Sequence, residues 1–241
     1  MKDAELMRSA AKPDLSGLTL ERLERMRAAG EEIAECHRVL RRGGLNVVGE
    51  VLKGQGQFVK LNHYPKGDVY DRDSHSQYYY HAHREAEHGH FHTFLRAKGM
   101  PERVAPVDEA HGRDWPKGDK ALSHIVAISM DKKGFPLRLF TTNRWVTGET
   151  WYPAGAVTEM IDRFEIDHAY PSWPTNRWIT AMLRLFRPQI VALLQARDRN
   201  LAEWAAAHSD RDVWDDRELE VLSEIEIDVA EQRARVDSAL G

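Results

Sequence analysis

The chain has 241 residues, of which 42% are hydrophobic and 30% are charged, and its formal net charge is −4. This composition is typical of a folded globular protein and excludes a largely disordered chain, a collagen-like repeat and a coiled-coil rod. No apolar run approaches the roughly 20 residues that span a bilayer, and no overall basic field would attract nucleic acid. We therefore expect neither a membrane nor nucleic acid as a partner.

The N-terminal part of the chain predicts a flexible lead-in followed by one long helix. Residues 1–17 contain helix breakers and no apolar pattern, whereas residues 19–42 repeat apolar side chains at spacings of three and four. Thr19 suits the N-cap, and Gly43 suits the C-terminal end of this helix. Cys36, the single cysteine, lies on the apolar side and is interpreted as a core residue rather than a nucleophile. A single cysteine and no secretory signal favour a cytoplasmic protein.

The middle of the chain predicts β-structure. The predicted strands are residues 45–52, 57–63, 77–84, 89–96, 124–131 and 137–146. Residues 53–56 and 132–136 have the composition of hairpin turns, and residues 65–76 form a polar, turn-rich stretch. A long loop is expected for residues 98–120, and long loops in compact domains are often functional.

The last third of the chain predicts helices. They are residues 154–164, a helix that follows Ser172 and reaches Trp204, and a last helix from Asp210 or Asp212 to Val236. Pro188 should kink or split the second of these helices. The whole chain, residues 1–241, is therefore predicted to be one α+β domain. Its antiparallel sheet, about residues 45–146, carries a histidine-rich hairpin, and helices from both ends of the chain pack on the apolar face.

Histidines are concentrated in one short segment, which holds six of the 12 between His75 and His92. Alternate residues of a strand share a face, so His81 and His83 point the same way, as do His90 and His92. A hairpin that pairs His83 with His90 and His81 with His92 puts all four on one face. The other face, with Tyr78 and Tyr80, then suits the core.

Four neutral imidazoles on such a small patch favour a shared divalent metal ion, because each offers one lone pair. His81, His83, His90 and His92 are therefore the candidate metal ligands. Further candidates are Glu85, Glu87 and His88 in the connection, and His63, His75 and His124 around it. The alternative for the whole patch is an exposed sheet face, a pH-sensitive patch or a substrate-binding surface. For His37, His111, His168 and His208 we expect ordinary structural roles.

Two resemblances accompany this pattern. His81-x-His83-x-x-x-Glu87 is similar to the first motif of the cupins, double-stranded β-helix proteins that include many metal-dependent dioxygenases and isomerases; here it serves as an analogy for site chemistry. The run from Gln77 to Arg84, followed by Glu87 to Phe94, resembles an uncharacterised bacterial family known only as a domain of unknown function. That resemblance covers most of the chain and implies no activity.

The preferred hypothesis is a non-haem iron or copper oxidoreductase that acts on a small molecule. All-imidazole sites suit iron, copper and zinc. The neighbouring tyrosines favour redox chemistry, so iron or copper is the first expected metal and zinc the second. Glu87 is the candidate base or extra ligand, and Tyr79 and His124 are candidate proton donors or substrate contacts. One alternative is a zinc-dependent hydrolase or lyase with the same ligands. The other is a metal- or haem-binding module without catalysis.

Overall fold

A computed structural model of the protein describes residues 12–84 and 87–241. Most of the predicted flexible lead-in lies outside the described residues. Within it, Leu15 is buried and belongs to the main hydrophobic core. Glu85, one of the candidate ligands in the hairpin connection, also lies outside the described residues.

The described residues form seven α-helices and one six-stranded antiparallel sheet, which confirms the α+β class. The helices are α1 (Leu20–Arg42), α2 (Val47–Leu52), α3 (Arg144–Thr147), α4 (Ala154–Ile161), α5 (Trp173–Leu185), α6 (Arg187–Ala207) and α7 (Val229–Leu240). The strands are β1 (Tyr64–Tyr70), β2 (Ser76–His81), β3 (Gly89–Arg96), β4 (Leu122–Met130), β5 (Pro136–Thr142) and β6 (Val221–Glu226). The spatial order of the strands follows the chain, from β1 to β6. Among the helices described, none is long and apolar enough to cross a membrane.

Helix α1 agrees with its sequence pattern. The side chain of Thr19 accepts a hydrogen bond from the backbone N–H of Arg22, and Gly43 ends the helix. Its buried side packs against α5 and α7. Burial raises the pKa of the Cys36 thiol to about 11, which supports its interpretation as a core residue.

The predicted strands over residues 45–52 and 57–63 are wrong. Residues 47–52 form helix α2, because the Asn46 side chain caps its first turn by accepting bonds from the N–H groups of Val48 and Gly49 at 3.1 and 2.9 Å. The valines of this segment favoured a strand by propensity alone, and the cap overrides that preference. The sheet instead begins at β1, inside the stretch that was predicted to be turns.

The C-terminal helices also differ in part from prediction. The break near Pro188 is confirmed, since α5 ends at Leu185 and α6 begins at Arg187. The predicted last helix is wrong in its first half, where Val221–Glu226 is strand β6 and pairs with β5. Helix α7 begins only after Asp228, whose side chain accepts a bond from the N–H of Glu231 at 2.8 Å.

The two faces of the sheet have different surroundings. On one face Tyr78, Tyr80 and Phe91 belong to the main hydrophobic core, together with residues of α1, α5 and α6. On the other face the histidines of β2 and β3 lie beneath connecting segments, including the one that carries His63. The sequence predicted this division of faces correctly.

Candidate metal centre

Three buried histidines lie side by side on the face of the sheet opposite the main hydrophobic core. In the β2–β3 ladder His81 pairs with His90, and Tyr79 pairs with His92. The predicted pairing of His83 with His90, and of His81 with His92, is wrong by two residues because β2 ends at His81. A shift of two residues keeps every side chain on its predicted face, whereas a shift of one would have exchanged the faces.

A β-bulge brings a further histidine to this face. The β3–β4 register shifts after Thr93, so that Phe94 lies opposite His124. An uninterrupted ladder would pair Phe94 with Ile125 and turn His124 to the opposite face. As a result, Nε2 of His124 lies 3.0 Å from Nδ1 of His92.

The geometry of the three central histidines suits a metal ion. One nitrogen from each of His81, His90 and His92 lies within 4.8 Å of the other two. The Nε2 atoms of His81 and His90 are 2.7 Å apart. Zinc–imidazole bonds of about 2.0–2.1 Å place tetrahedral ligand nitrogens about 3.3 Å apart, so small movements of the rings would suffice. The buried histidine triad, His81, His90 and His92, could therefore hold a metal ion.

Glu87 fixes the orientation of His90. Nδ1 of His90 donates a hydrogen bond to Oε1 of Glu87, and the Ser129 hydroxyl donates to Oε2. Burial would raise the pKa of Glu87, but these hydrogen bonds and the charge of Arg84 hold the pKa below its ordinary value. Because the ionised carboxylate keeps the proton on Nδ1, Nε2 of His90 presents its lone pair to the triad.

His92 carries the least satisfied nitrogen of the site. Its Nδ1 faces His124, whereas its Nε2 is buried and has no hydrogen-bond partner among the described residues. Leaving a buried polar atom unpaired costs about 1–3 kcal/mol. A metal ion bound to Nε2 would remove that cost. In the tautomer whose Nδ1–H donates to Nε2 of His124, Nε2 of His92 carries the lone pair that a metal ion needs.

The buried histidines are neutral at neutral pH. Burial lowers the pKa of His81 to about 2 and that of His124 to about 3, and neighbouring histidines add to the effect on His81. Burial also holds the pKa of His92 well below its ordinary value and lowers that of His90. Neutral imidazole is the form that binds metal ions, so protons compete little for this site.

His83, the fourth predicted ligand, lies at the edge of the triad. It follows the end of β2 and is half-buried, and its ring centroid is 5.1 Å from those of His81 and His90. The triad thus consists of three of the four predicted ligands, and His83 lies beside it.

Tyr79 packs against the triad on one side and against His63 on the other. Its ring centroid lies 5.3 Å from that of His81 and 5.2 Å from that of His92. On its outer side the ring of His63 stacks on it with a centroid distance of 3.6 Å. His63, held by Asp68 at 3.1 Å, also lines a surface cavity of about 740 Å³.

Two other candidates have partners away from the triad. Nδ1 of His88 lies 2.8 Å from the Tyr80 hydroxyl, on the core side of the hairpin. Nδ1 of His75 lies 2.6 Å from the Tyr70 hydroxyl, near the opposite end of β2. The structure does not bring either of them to the triad.

Glu149 is a site residue that the sequence did not reveal. Its buried carboxylate accepts a hydrogen bond from the backbone N–H of His124 at 2.7 Å and one from the Thr147 hydroxyl at 3.0 Å. Burial raises the pKa of Glu149 to about 7. It therefore holds the backbone at the bulge that presents His124, a contact for which the sequence contains no motif.

Comparisons with known proteins agree with one of the two resemblances. The cupin resemblance is not supported, since the described strands form one sheet in chain order rather than a double-stranded β-helix. No curated protein and no solved structure matches the chain. A family model described as a domain of unknown function, DUF6969, matches residues 27–227, which include the whole triad. The chain therefore belongs to the DUF6969 family, which confirms the predicted membership of an uncharacterised family.

Proposed function

We propose that the protein is a metal-dependent oxidoreductase that binds one divalent transition metal ion through His81, His90 and His92 and acts on a small molecule. The observation that carries the proposal is the buried Nε2 of His92, which has no hydrogen-bond partner among residues 12–84 and 87–241 and lies next to the two facing Nε2 atoms of His81 and His90. Three imidazoles leave coordination positions for an exogenous ligand, as catalytic sites require.

The surrounding residues have separate roles in this proposal. Glu87 and Ser129 orient His90, and His124 supports His92 from the opposite side. Such outer contacts fix the tautomer of a ligand and raise its basicity. The metal ion, when bound, would supply redox or Lewis-acid chemistry at its open positions.

Iron or copper is the preferred metal, and zinc is the second choice. All-imidazole ligand sets suit each of these ions, and the single cysteine lies elsewhere, in α1. Tyr79 lies against the triad, and burial raises the pKa of its phenol, so it stays protonated and can donate to a bound small molecule. A proton donor beside the triad favours a catalytic site over a purely structural one.

A zinc-dependent hydrolase or lyase is the second candidate. Three histidines with an open position can lower the pKa of a zinc-bound water to about 7, and the same three nitrogens serve both candidates. A haem-binding module fits less well. The rings of the triad pack with centroids 4.5–5.1 Å apart, which leaves no room between them for a porphyrin.

The test is elemental analysis of untagged, freshly purified protein by plasma mass spectrometry, together with its ultraviolet–visible spectrum. We expect about one equivalent of iron or copper, a coloured protein, and loss of metal in His92→Ala. His111→Ala, an exposed histidine far from the triad in the chain, is the matched control and should keep its metal. Zinc at one equivalent would favour the hydrolase or lyase. No metal after anaerobic reconstitution would overturn the proposal.

A further inference from the structure

Arg84 lies next to the triad, and within the described part of the chain its side chain is hydrogen-bonded to one carboxylate, that of Glu220. Its Nη2 and Nε donate to the same oxygen of Glu220, Oε1, at 2.7 and 3.2 Å. The guanidinium also lies over the ring of Phe140, 4.3 Å from the ring centroid. Phe140 in turn contacts the edge of His90, with centroids 5.2 Å apart. Arg84 therefore sits one aromatic ring away from a metal ligand.

Arg84 lies among the charged groups around the triad. Its guanidinium is separated from His90 by the ring of Phe140 and pairs with Glu220. A bound divalent ion would bring two further positive charges into this field. Glu87 and Glu220 supply two negative charges near Arg84, so the loaded site would keep an excess of positive charge that favours an anion.

The pairing with Glu220 is open to water on the side of Glu220. The Arg84 side chain is 18% exposed and that of Glu220 is 37% exposed, and water at the carboxylate weakens the attraction within the pair. Both bonds go to one carboxylate oxygen, so the pairing does not use the parallel, two-oxygen geometry in which arginine binds carboxylates and phosphates best. An incoming oxyanion can offer that geometry.

We propose that the metal centre takes an anionic small-molecule substrate, whose carboxylate or phosphate group binds Arg84 in place of Glu220. This inference rests on the proposed function, because it needs a metal ion on the triad to hold the rest of the substrate. It adds the substrate class, a carboxylate or phosphate compound, to the assignment. Arg84 is then a substrate-binding residue, and Glu220 is a competitor that occupies it in the free protein.

The test uses the full-length protein loaded with Co²⁺, whose visible absorption bands report that the site is occupied. Sodium acetate and inorganic phosphate are titrated separately at constant ionic strength, and the dissociation constant is taken from isothermal titration calorimetry. The variants are Arg84→Gln and Glu220→Gln. The matched control is Arg187→Gln, since Arg187 of α6 forms an ion pair of similar exposure with Asp162 at 2.9 Å.

The expected results follow from these contacts. Arg84→Gln should raise the dissociation constant at least tenfold, because it removes charge-assisted hydrogen bonds. Glu220→Gln should lower it three- to fivefold, since the competing carboxylate is gone, and Arg187→Gln should leave it within twofold. Tighter binding of acetate would indicate a carboxylate substrate, and tighter binding of phosphate would indicate a phosphate ester.

Two failures can be told apart. If Co²⁺ binds to the triad but Arg84→Gln binds both anions as the unmodified protein does, or Glu220→Gln shows no gain, the role of Arg84 is refuted and the metal centre stands. If Co²⁺ does not bind at all, the proposed function itself is refuted.

Discussion

The metal-free protein should lose stability as the pH falls from 7.5 to 5. His81, His92 and His124 have pKa values far below the ordinary 6.5 because they are buried. Above pH 6.5 these side chains are neutral in both states and have no effect on stability. Below it the unfolded chain binds protons that the folded protein does not bind, which favours unfolding by about 1.4 kcal/mol per histidine per pH unit. At pH 5 this amounts to about 2 kcal/mol for each histidine and about 6 kcal/mol for the three.

Glu149 opposes this trend and must be included. Burial raises the pKa of its carboxyl from 4.5 to about 7. Between these two values the folded protein holds a proton that the unfolded chain releases, so stability rises by about 2 kcal/mol as the pH falls from 7 to 5. The net loss from these four groups is about 4 kcal/mol, a large part of the 5–15 kcal/mol that stabilises most domains. For a protein of this size it lowers the Tm by roughly 8–16 °C.

Thermal unfolding of the chelator-treated protein, followed by circular dichroism at half-unit steps of pH, measures this effect. His81→Asn removes one of the three groups, so the slope of stability against pH should fall by about 1.4 kcal/mol per unit. His111→Ala, at an exposed position, should leave the slope unchanged. A Tm that stays constant between pH 7.5 and 5, or a slope that His81→Asn does not alter, would refute the argument that these imidazoles are held neutral.

Three further predictions concern the site and the fold. Glu87→Gln removes the carboxylate that orients His90, so calorimetry should show metal affinity lowered about 10–100-fold; unchanged affinity would contradict that role. Tyr80→Asp buries a charge in the core and should prevent folding, whereas Tyr79→Phe should give native circular dichroism; equal tolerance would reverse the assigned faces. Asn46→Ala removes the α2 cap and should cost about 1 kcal/mol in urea unfolding, and a cost near zero would argue against the cap.

The parts of the fold that the sequence predicted have strong local signals. In helix α1, apolar residues repeat with the helical period of about 3.6 residues over a long segment. A threonine lies at one end and a glycine at the other. The run from Gly89 to Arg96 alternates histidine with apolar residues, and β3 has those bounds. Pro188 marks a break because proline lacks the N–H that a helix interior needs.

The elements that the sequence predicted wrongly, β6 and α2, depend on partners that are distant in the chain or on weak caps. Within strand β6, Leu222 and Ile225 also have the spacing of a helix. Only the pairing with β5 selects the strand. Helix α2 depends on the side chain of Asn46, which competes with a strand-like run of valines. Short apolar segments of this kind are ambiguous until tertiary contacts are known.

The site was predicted by residue type more than by geometry. Alternation put His81, His90 and His92 on one face regardless of a register error of two residues. The bulge that brings His124 to the triad, and the buried Glu149 that holds it, leave no pattern in the sequence. A bulge is an extra residue in one strand relative to the strand that it pairs with. The sequence of a single strand therefore does not reveal it.

X-ray absorption spectroscopy of the metal-loaded protein, at the edge of the bound metal, tests the central claim most directly. If one ion binds to His81, His90 and His92, the spectrum should show nitrogen or oxygen ligands at about 2.0–2.1 Å with the scattering pattern of three imidazoles. His92→Ala should reduce that number or abolish binding. A metal ion bound without imidazole scattering, or a spectrum that His92→Ala leaves unchanged, would contradict the claim that the triad is a metal centre.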